Sequence, residues 1–344
     1  MYERNAGASR RSFLAAAGGA VTTGLAGCLG GGGDGGAGLD ELTVAHMPIY
    51  PDLQWYVMES EGYFSEIDAE INGREFTDGP SIVQAFAGGD IDVAMFGIVP
   101  AMIVIDSGIS ARVTAANIRE PMGIMAESSF HDTFEEHGAD AFAMWEEEQG
   151  RPFRFGTFPQ GSVPDVLLRY WLRETGVDPE TNDSIVIREI NGANSVWQAI
   201  NGGDIDGTSI MEPVPTIAQE EGSSVTMLRT AADILPGQPA AVTLMSDAVR
   251  DSPLAAQFLE QHVRATEFIR ESPDATARHV ESGIGMAADR ARTALDSPLS
   301  NFVTDPASIS EATPVFSEFA ASNGQISEQL TNDQIFDFDV YDSL

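Results

Sequence analysis

From residue 42 onward, short apolar runs alternate with stretches in which apolar residues recur at helical spacing. The apolar runs predict strands at 42–45, 67–71, 91–96, 113–116 and 240–245. The periodic stretches predict helices at 52–64, 80–86, 100–105, 253–270 and 273–282, and the last sixty residues are expected to be mostly helical. Repeated strand–helix units predict an α/β protein in which a parallel sheet is covered by helices.

A twelve-residue segment occurs twice in the chain. Residues 81–92 recur as residues 195–206, 114 positions later, and eight of the twelve positions are identical. In each copy a serine is expected to cap a helix, a Gly-Gly pair to end it with one left-handed glycine, and Ile-Asp to open the next strand. An offset of 114 residues is too long for a solenoid repeat. The sequence therefore predicts two similar α/β lobes.

The chain is expected to pass from one lobe to the other and back again. The first crossing is predicted near residues 120–129, and the return near residues 235–239. Lobe one would then comprise residues 41–125 and 238–344, and lobe two residues 126–237. Two lobes that are joined by two short crossings form a cleft with a hinge.

The N-terminal segment carries sorting signals. Residues 9–14 resemble a twin-arginine export motif, and the weakly apolar stretch after them is far shorter than the ~20 residues of a transmembrane helix. That stretch ends in a lipoprotein signal-peptidase box at Cys28, the only cysteine, so no disulfide forms within one chain. We predict that residues 1–27 are a signal peptide and that Cys28 is lipidated. Residues 28–40 would be a Gly-rich tether that holds the protein on the extracellular face of the cell membrane.

The composition is strongly acidic. Acidic residues outnumber basic ones by 53 to 18, which gives a net charge of −35, and every basic residue is an arginine. Residues 1–27 carry three Arg and one Glu, so the remainder carries −37. A surface this negative excludes nucleic-acid binding and docking on anionic membranes, and the lack of lysine excludes Schiff-base and P-loop chemistry. Because 43% of the residues are hydrophobic, the acidity indicates a halophilic host rather than disorder, since concentrated salt screens the self-repulsion.

Several stretches resemble one family of proteins. Residues 53–57 followed by 61–64 are similar to the first helix of the nitrate/sulfonate/taurine-type substrate-binding proteins of ABC importers, and the Gly-Gly-Asp-Ile-Asp turn also occurs there. Residues 158–162 with 168–172 resemble that family's second-lobe motif, and 212–213 its Glu-Pro pair. The resemblance implies an α/β fold of periplasmic-binding-protein type II. In this fold two similar α/β lobes surround a ligand cleft and are joined by two hinge crossings. It also implies an ABC permease and its ATPase as partners.

Candidate ligand contacts follow from the fold, because ligands of open α/β sheets bind beyond the carboxyl ends of strands, at helix N-termini that favour anions. The candidates in lobe one are Pro48, Tyr50, Ser81, Phe96, Gly97 and Asn117. The candidates in lobe two are Gly161, Ser162, Asn194, Ser195 and Glu212. Three arginines near predicted strand ends could supply a positive charge, namely Arg119, Arg154 and Arg188. We hypothesise that the helix ends at Ser81 and Ser162 hold the ligand from both sides.

The expected ligand is an oxyanion such as nitrate, a sulfonate, taurine or bicarbonate. Glu212 would repel an anion but could pair with a cationic or amine-bearing ligand, or it could only bond to backbone at the hinge. A thiamine-pyrimidine-like heterocycle, stacked on aromatic residues, therefore stays open as an alternative. An enzyme on the same fold is a third hypothesis, but the chain has no Gly-x-Ser-x-Gly motif and its five histidines lack metal-ligand spacing. We therefore expect a monomeric receptor that is not an enzyme and uses no cofactor or metal.

Overall fold

A computed structural model describes residues 39–344 of the chain. These residues contain ten strands, which are, in chain order, β1 (Glu41–His46), β2 (Glu70–Glu75), β3 (Val93–Gly97), β4 (Ala111–Ala116), β5 (Gly123–Glu127), β6 (Phe153–Thr157), β7 (Ile185–Glu189), β8 (Gly207–Ile210), β9 (Val225–Thr230) and β10 (Ala241–Ser246). The predicted signal peptide, the lipidation of Cys28 and most of the predicted tether lie outside the described residues.

Helices lie between the strands and follow the last one. In chain order they are α1 (Leu53–Ser60), α2 (Gly79–Ala87), α3 (Ile98–Asp106), α4 (Ser128–His137), α5 (Asp140–Gln149), α6 (Val163–Glu174), α7 (Ala193–Asn201), α8 (Val214–Glu220), α9 (Ala231–Ile234), α10 (Asp247–Arg250), α11 (Pro253–Glu271), α12 (Pro273–Ile284), α13 (Ala288–Leu295), α14 (Ala307–Ser310), α15 (Thr313–Ser322), α16 (Asn332–Ile335) and α17 (Phe338–Asp342). No helix of the described residues is long and apolar enough to cross a bilayer.

The strands form two five-stranded sheets of matching order, one in each lobe. The first sheet has the order β2-β1-β3-β10-β4, and the second has the order β7-β6-β8-β5-β9. The two-lobed α/β fold that the sequence predicts is therefore confirmed. The expectation of parallel sheets is wrong in one respect, because β10 runs antiparallel to β3 and β4, and β5 runs antiparallel to β8 and β9. Each antiparallel strand is the first one after the chain has crossed from the other sheet.

In lobe one and at the first crossing, two strands differ from the pattern-based prediction, and no bounds were predicted for the lobe-two strands β6 to β9. The strand predicted at 67–71 begins later, at Glu70, because β2 is an edge strand with exposed polar residues and the apolar Ile67 packs into the core ahead of it. Edge strands carry a weak hydrophobic alternation. The short strand β5 was not predicted, and it lies inside the segment in which the first crossing was expected.

The sequence repeat corresponds to the same structural unit in both lobes. Helices α2 and α7 are offset by the repeat distance, and each ends in a Gly-Gly pair whose second member, Gly89 or Gly203, has a positive φ of 77° or 68°. The last aspartate of each copy accepts a backbone N–H from the neighbouring strand: Asp92 from Thr43 at 2.8 Å, and Asp206 from Arg154 at 2.9 Å. The Gly-Gly-Asp-Ile-Asp motif thus fixes a helix end to a sheet.

The serines of the repeat do not cap these helices, which corrects the prediction. Asp78 is the N-cap of α2, and Ser81 lies in the first turn. Gly192 precedes α7 and provides no side-chain cap, and Ser195 again lies one turn inside the helix. A serine caps a helix only from the N-cap position, where its hydroxyl reaches the free N–H groups of the first turn. Ser81 and Ser195 lie beyond that position. By contrast, Ser162 caps α6, with Pro164 in its first turn, as predicted.

Candidate functional site

The predicted contact residues of lobe one lie at different depths. Tyr50, in a short turn after β1, is 2% exposed, and its hydroxyl bonds to the Ser300 hydroxyl at 2.8 Å. Burial raises the pKa of the Tyr50 hydroxyl above its ordinary value, and the negative charges of Glu212 and Asp296 raise it further. Tyr50 therefore holds the loop after α13 through Ser300, and its hydroxyl lies in the field of the carboxylates of Glu212 and Asp296. Pro48, two residues earlier, is exposed.

Asn117 lies beneath the cleft in a fully buried polar network. Its side-chain amide donates to Asp52 Oδ1 at 3.2 Å, and its Oδ1 accepts from the Thr243 hydroxyl at 2.8 Å and lies 3.0 Å from Nε2 of His262. Both polar atoms of the Asn117 side chain are thus bonded within lobe one. Phe96 is likewise fully buried, in the core at the end of β3. In this arrangement both residues support the strand ends, and neither projects into an open space.

The network contains ionisable groups with shifted pKa values. Burial raises the pKa of Asp52 to about 7, although the hydrogen bond from Asn117 opposes the shift. Burial lowers the pKa of His262 to about 3, and that of His46, which stacks on Trp55 with ring centroids 4.3 Å apart, to about 4. At neutral pH these histidines are uncharged, as expected for imidazoles in a core.

The two lobes touch along one side of the cleft. Gly97, at the end of β3, lies so close to α6 that a Cβ there would be 3.6 Å from Cγ2 of Val163. Gly161 has a φ of 83°, and a Cβ built on it would overlap the side-chain amide of Gln325, which follows α15. A guanidinium–ring contact between Arg173 and Phe319, 4.6 Å from the ring centroid, joins α6 to α15. The structure thus brings Gly97 and Gly161 into the contact between lobes.

The start of α6 carries its own carboxylate. Asp165 is 1% exposed, and its Oδ2 accepts the backbone N–H of Gly161 at 2.9 Å. Its other oxygen accepts from Nε of Arg169 at 2.8 Å, and Ser162 caps the same turn. Burial raises the pKa of Asp165, while the bonds from Gly161 and Arg169 oppose the shift. The N–H group of Gly161 is therefore occupied by a group of the protein itself.

The start of α2 is occupied in the same way. The backbone N–H of Ser81 donates to Oδ1 of Asp78 at 2.8 Å, and this bond lowers the pKa of Asp78. Both helix ends that were expected to hold an anion thus present a carboxylate at that place. The hypothesis of an anion clamped between Ser81 and Ser162 stays a prediction, and such an anion would stand beside the carboxylates of Asp78 and Asp165.

The three candidate arginines are engaged elsewhere. Arg154 forms a bidentate pair with the buried Asp206, with contacts of 2.9 and 3.0 Å. Arg188 donates to the carbonyl oxygen of Asp204 at 3.1 Å. Arg119 lies 3.9 Å from the carboxylate of Glu120, at the first crossing. Arg119 and Arg154 each lie beside a carboxylate, whereas Arg188 is bonded to a carbonyl oxygen.

Glu212 borders a cavity at the side of lobe two. It follows β8, is 2% exposed, and accepts the backbone N–H of Thr216, in the first turn of α8, at 3.1 Å. Burial raises its pKa, and hydrogen bonds from Ser297 and Thr216 oppose the shift. The cavity has a volume of about 620 Å³ and lies between lobe two and the loop after α13. Its only charged lining residues are Glu212 and Asp296.

The remaining candidates of lobe two lie in the first turn of α7. Asn194 and Ser195 are both exposed, and neither side chain makes a hydrogen bond within residues 39–344. The sequence did not single out the residues that complete the site, which are Asp165, Asp296, Ser300 and Gln325. An aspartate three residues after a capping serine is a recognisable first-turn signal. The contacts of Ser300 and Gln325 join segments far apart in sequence and leave no local trace.

No group of three or more His, Cys, Asp or Glu side chains within the described part of the chain could hold a metal ion. The charged groups of the site serve as helix caps, as members of ion pairs, or, in the case of Glu212, as part of a cavity wall.

Residues 35–284 match the NMT1-like family, and the chain belongs to that family. Comparison with curated proteins finds no match. Among solved structures, the aliphatic sulphonate binding protein SsuA of Escherichia coli is similar, with a TM-score of 0.69 and 17% identity over 86% of this chain and 97% of that one. The nitrate-binding protein NrtA of Synechocystis has a TM-score of 0.67 and 13% identity over 89% of this chain and 88% of that one.

A third similar structure is the ligand-binding component of an ABC-type import system from Staphylococcus aureus, solved with zinc bound. It has a TM-score of 0.68 and 14% identity over 88% of this chain and 98% of that one. At such identities the likeness establishes the fold. Two lobes with sheets of matching order are the periplasmic-binding-protein type II architecture, as predicted.

Proposed function

We propose that this protein is the extracytoplasmic solute receptor of an ABC importer. It binds one small molecule between its lobes and delivers it to a permease that is driven by an ATPase. The observation that carries the proposal is the pair of matching α/β lobes, joined at two crossings and enclosing a cavity of about 620 Å³. Cavities of this size hold small organic molecules. The similar structures are those of a sulphonate binder, a nitrate binder and an ABC import component, which supports the same role.

Contacts between the lobes support a hinge-type mechanism. Arg290 of α13 pairs with Glu220 of α8 at 2.8 Å, and Arg173 packs on Phe319. These contacts are polar and lie at the rim, so that they can break and re-form as the lobes open. We propose that the ligand contacts come from Pro48, Tyr50, Gly97, Gly161, Ser162, Asn194, Ser195 and Glu212, of which Glu212 lines the cavity.

The sequence features of the N-terminus complete the proposal. Export by the twin-arginine route and lipidation of Cys28 would place a folded receptor on the outer face of the membrane. The charge of −35 suits a halophilic host. In this proposal the protein acts as a monomeric receptor and not as an enzyme.

An oxyanion ligand finds mixed support. The names of two similar structures favour a sulphonate or nitrate. The carboxylates of Asp78, Asp165 and Glu212 oppose one, because each stands where an anion was expected to bind. The ligand class therefore has to be argued from the cavity itself.

Cross-linking in the cells that make the protein tests the receptor role without knowledge of the ligand. The full-length protein, tagged at its C-terminus, is cross-linked in intact cells and recovered from the membrane fraction. We expect a permease with several membrane spans and its ATPase among the captured proteins. The Cys28→Ser variant is the control. It should no longer be recovered in the membrane fraction, and it should keep its fold. Recovery of soluble enzymes of one pathway in place of a permease would contradict the receptor role.

A further inference from the structure

We propose that the ligand of this receptor is a small organic cation that carries an ammonium group, and that Glu212 pairs with that group at the wall of the cavity. The inference rests on the proposed receptor function and names the ligand class of the same site. This ligand class differs from the sulphonate and nitrate that two structurally similar proteins bind.

Glu212 is a buried carboxylate with no cation beside it. It forms no ion pair with any Arg or His of residues 39–344, and it is 2% exposed. Its neighbours are the Thr216 backbone N–H and the hydroxyls of Thr216 and Ser297. Burying a charge without a partner costs several kcal/mol, so such a group either takes up a proton or awaits a cation. A ligand ammonium would supply the missing charge.

The cavity beside Glu212 has the chemistry of a site for a small organic cation. Its volume is about 620 Å³. Its walls combine apolar side chains with hydroxyls, namely Met125, Pro215, Ala218, Val225, Met227, Pro298 and Leu299 with Thr216, Ser223, Thr226, Thr230, Thr293 and Ser297. Apolar walls accommodate a carbon skeleton, and hydroxyl oxygens accept the N–H groups of an ammonium.

The electrostatic field of the cavity has one sign. Glu212 and Asp296 are its charged lining residues, and Asp296 pairs with Arg292, which does not line the cavity. The candidate arginines Arg119, Arg154 and Arg188 do not line the cavity. In low-dielectric surroundings such a field attracts a cation and repels an anion.

Tyr50 acts as a positioning residue for this cavity. Its hydroxyl bonds to that of Ser300, which in turn donates to the carbonyl oxygen of Ala294. This chain of bonds fixes the loop 296–300, whose members Asp296, Ser297 and Pro298 form one wall. Tyr50 thus shapes the site from lobe one while Glu212 contributes its charge from lobe two.

Calorimetric binding at pH 7.5 in molar potassium chloride tests the ligand class. The probes are ethanolamine, choline, putrescine, the uncharged choline isostere dimethylbutanol, nitrate and methanesulfonate. We expect at least one ammonium compound to bind and the uncharged and anionic probes not to bind. The Glu212→Gln variant should bind that compound about 10- to 100-fold more weakly, since a hydrogen bond to a charged group contributes about 1.5–3 kcal/mol. Glu260→Gln, an exposed change of the same charge on α11, should bind as the parent does.

The outcomes separate the two proposals. Binding of nitrate or methanesulfonate without any ammonium compound overturns the cation class and leaves the receptor role standing. Failure of every ammonium compound to bind, or unchanged affinity in Glu212→Gln, also overturns the cation class. The receptor role fails only if the cross-linked partners include no permease. If Glu212→Gln does not fold, Asp296→Asn, on the exposed side of the cavity wall, replaces it and is expected to weaken the same probe.

Discussion

The backbone N–H of Gly161 donates to Oδ2 of Asp165 at 2.9 Å, in the buried first turn of α6. The protein therefore supplies its own anion at the helix end where a bound anion would be expected. At the start of α2, the N-cap Asp78 accepts the backbone N–H of Ser81 at 2.8 Å. One helix start in each lobe thus carries a carboxylate of the protein, although α7, the counterpart of α2 in the repeat, begins after Gly192 without one. Of the two acidic residues that line the cavity, Glu212 is the buried one.

Replacing Asp165 by Asn tests the structural role of this carboxylate. Asn keeps the shape but removes the charge that Arg169 and the Gly161 N–H share. We expect the free energy of unfolding to fall by about 1–3 kcal/mol, the usual cost of an unsatisfied buried partner. Urea unfolding in molar potassium chloride measures it. Asp183→Asn, an exposed change of the same kind, should alter stability by less than about 0.5 kcal/mol. An equal effect of both variants would show that Asp165 does not fix this helix end.

Gly161 tests the contact between the lobes. The backbone at Gly161 has a φ of 83°, which alanine disfavours, and the added Cβ of Gly161→Ala would overlap the side chain of Gln325. Gly176→Ala is the matched control, because its φ is 88° and no atom lies within 4 Å of the added Cβ. The control should lose about 1–2 kcal/mol of stability from the backbone alone, and Gly161→Ala more.

A double variant separates these two causes. Adding Gln325→Ala to Gly161→Ala removes the overlap. The double variant should therefore be less stable than Gln325→Ala alone by about as much free energy of unfolding as Gly176→Ala loses relative to the parent. Thermal and urea unfolding of the four proteins measure the coupling between the two sites. Additive effects would mean that Gln325 does not press on Gly161 in solution.

Much of the fold could be predicted from the chain, and the reasons are local. Helices α2 and α7 both have apolar spacing and a Gly-Gly end within a few residues of one another, and the repeat shows that both lobes share these features. Strands β2 and β5 were misplaced or missed because their pairing partners, not their own pattern, define them. An edge strand with polar residues and a short strand just after a crossing carry little periodicity.

The candidate site was harder to predict than the fold, because its defining contacts are long-range. The bond from Tyr50 to Ser300 joins positions that are 250 residues apart. The network around Asn117 is similar, since His262 lies 145 residues away in the chain. Sequence placed Asn117 correctly at a strand end, but its burial depends on α11. Glu212 was recognised as repelling anions from its charge alone, whereas the cavity beside it is formed by a distant loop.

Stability should fall as the pH decreases below neutrality, because two buried histidines have lowered pKa values. His262 and His46 have pKa values of about 3 and about 4 against 6.5 for an exposed histidine. The unfolded chain therefore binds more protons below pH 6.5, and the stabilisation that is present above 6.5 is lost towards pH 4. The slope contributed by each group is about 1.4 kcal/mol per pH unit. His262→Gln should flatten the profile, and the exposed His137→Gln should leave it unchanged.

Asp52 acts in the opposite direction. Its pKa is raised from 3.8 to about 7, so its contribution to stability is complete below 3.8 and is lost as the pH rises through 7. Asn resembles the protonated carboxyl, so Asp52→Asn should remove this loss. The difference in unfolding free energy between the variant and the parent should grow in favour of the variant from pH 4 to pH 8. A difference that does not change with pH would mean that Asp52 is not buried as described.

The most direct test of the account is the native mass of the protein after gentle purification from its own cells. A receptor with a cavity of about 620 Å³ should retain one small molecule. We expect a single added mass that disappears on unfolding, is detected as a positive ion once released, and is absent or much reduced in Glu212→Gln. A parent protein that shows only the mass of the chain, even after incubation with a small-molecule extract of its cells, would contradict the account.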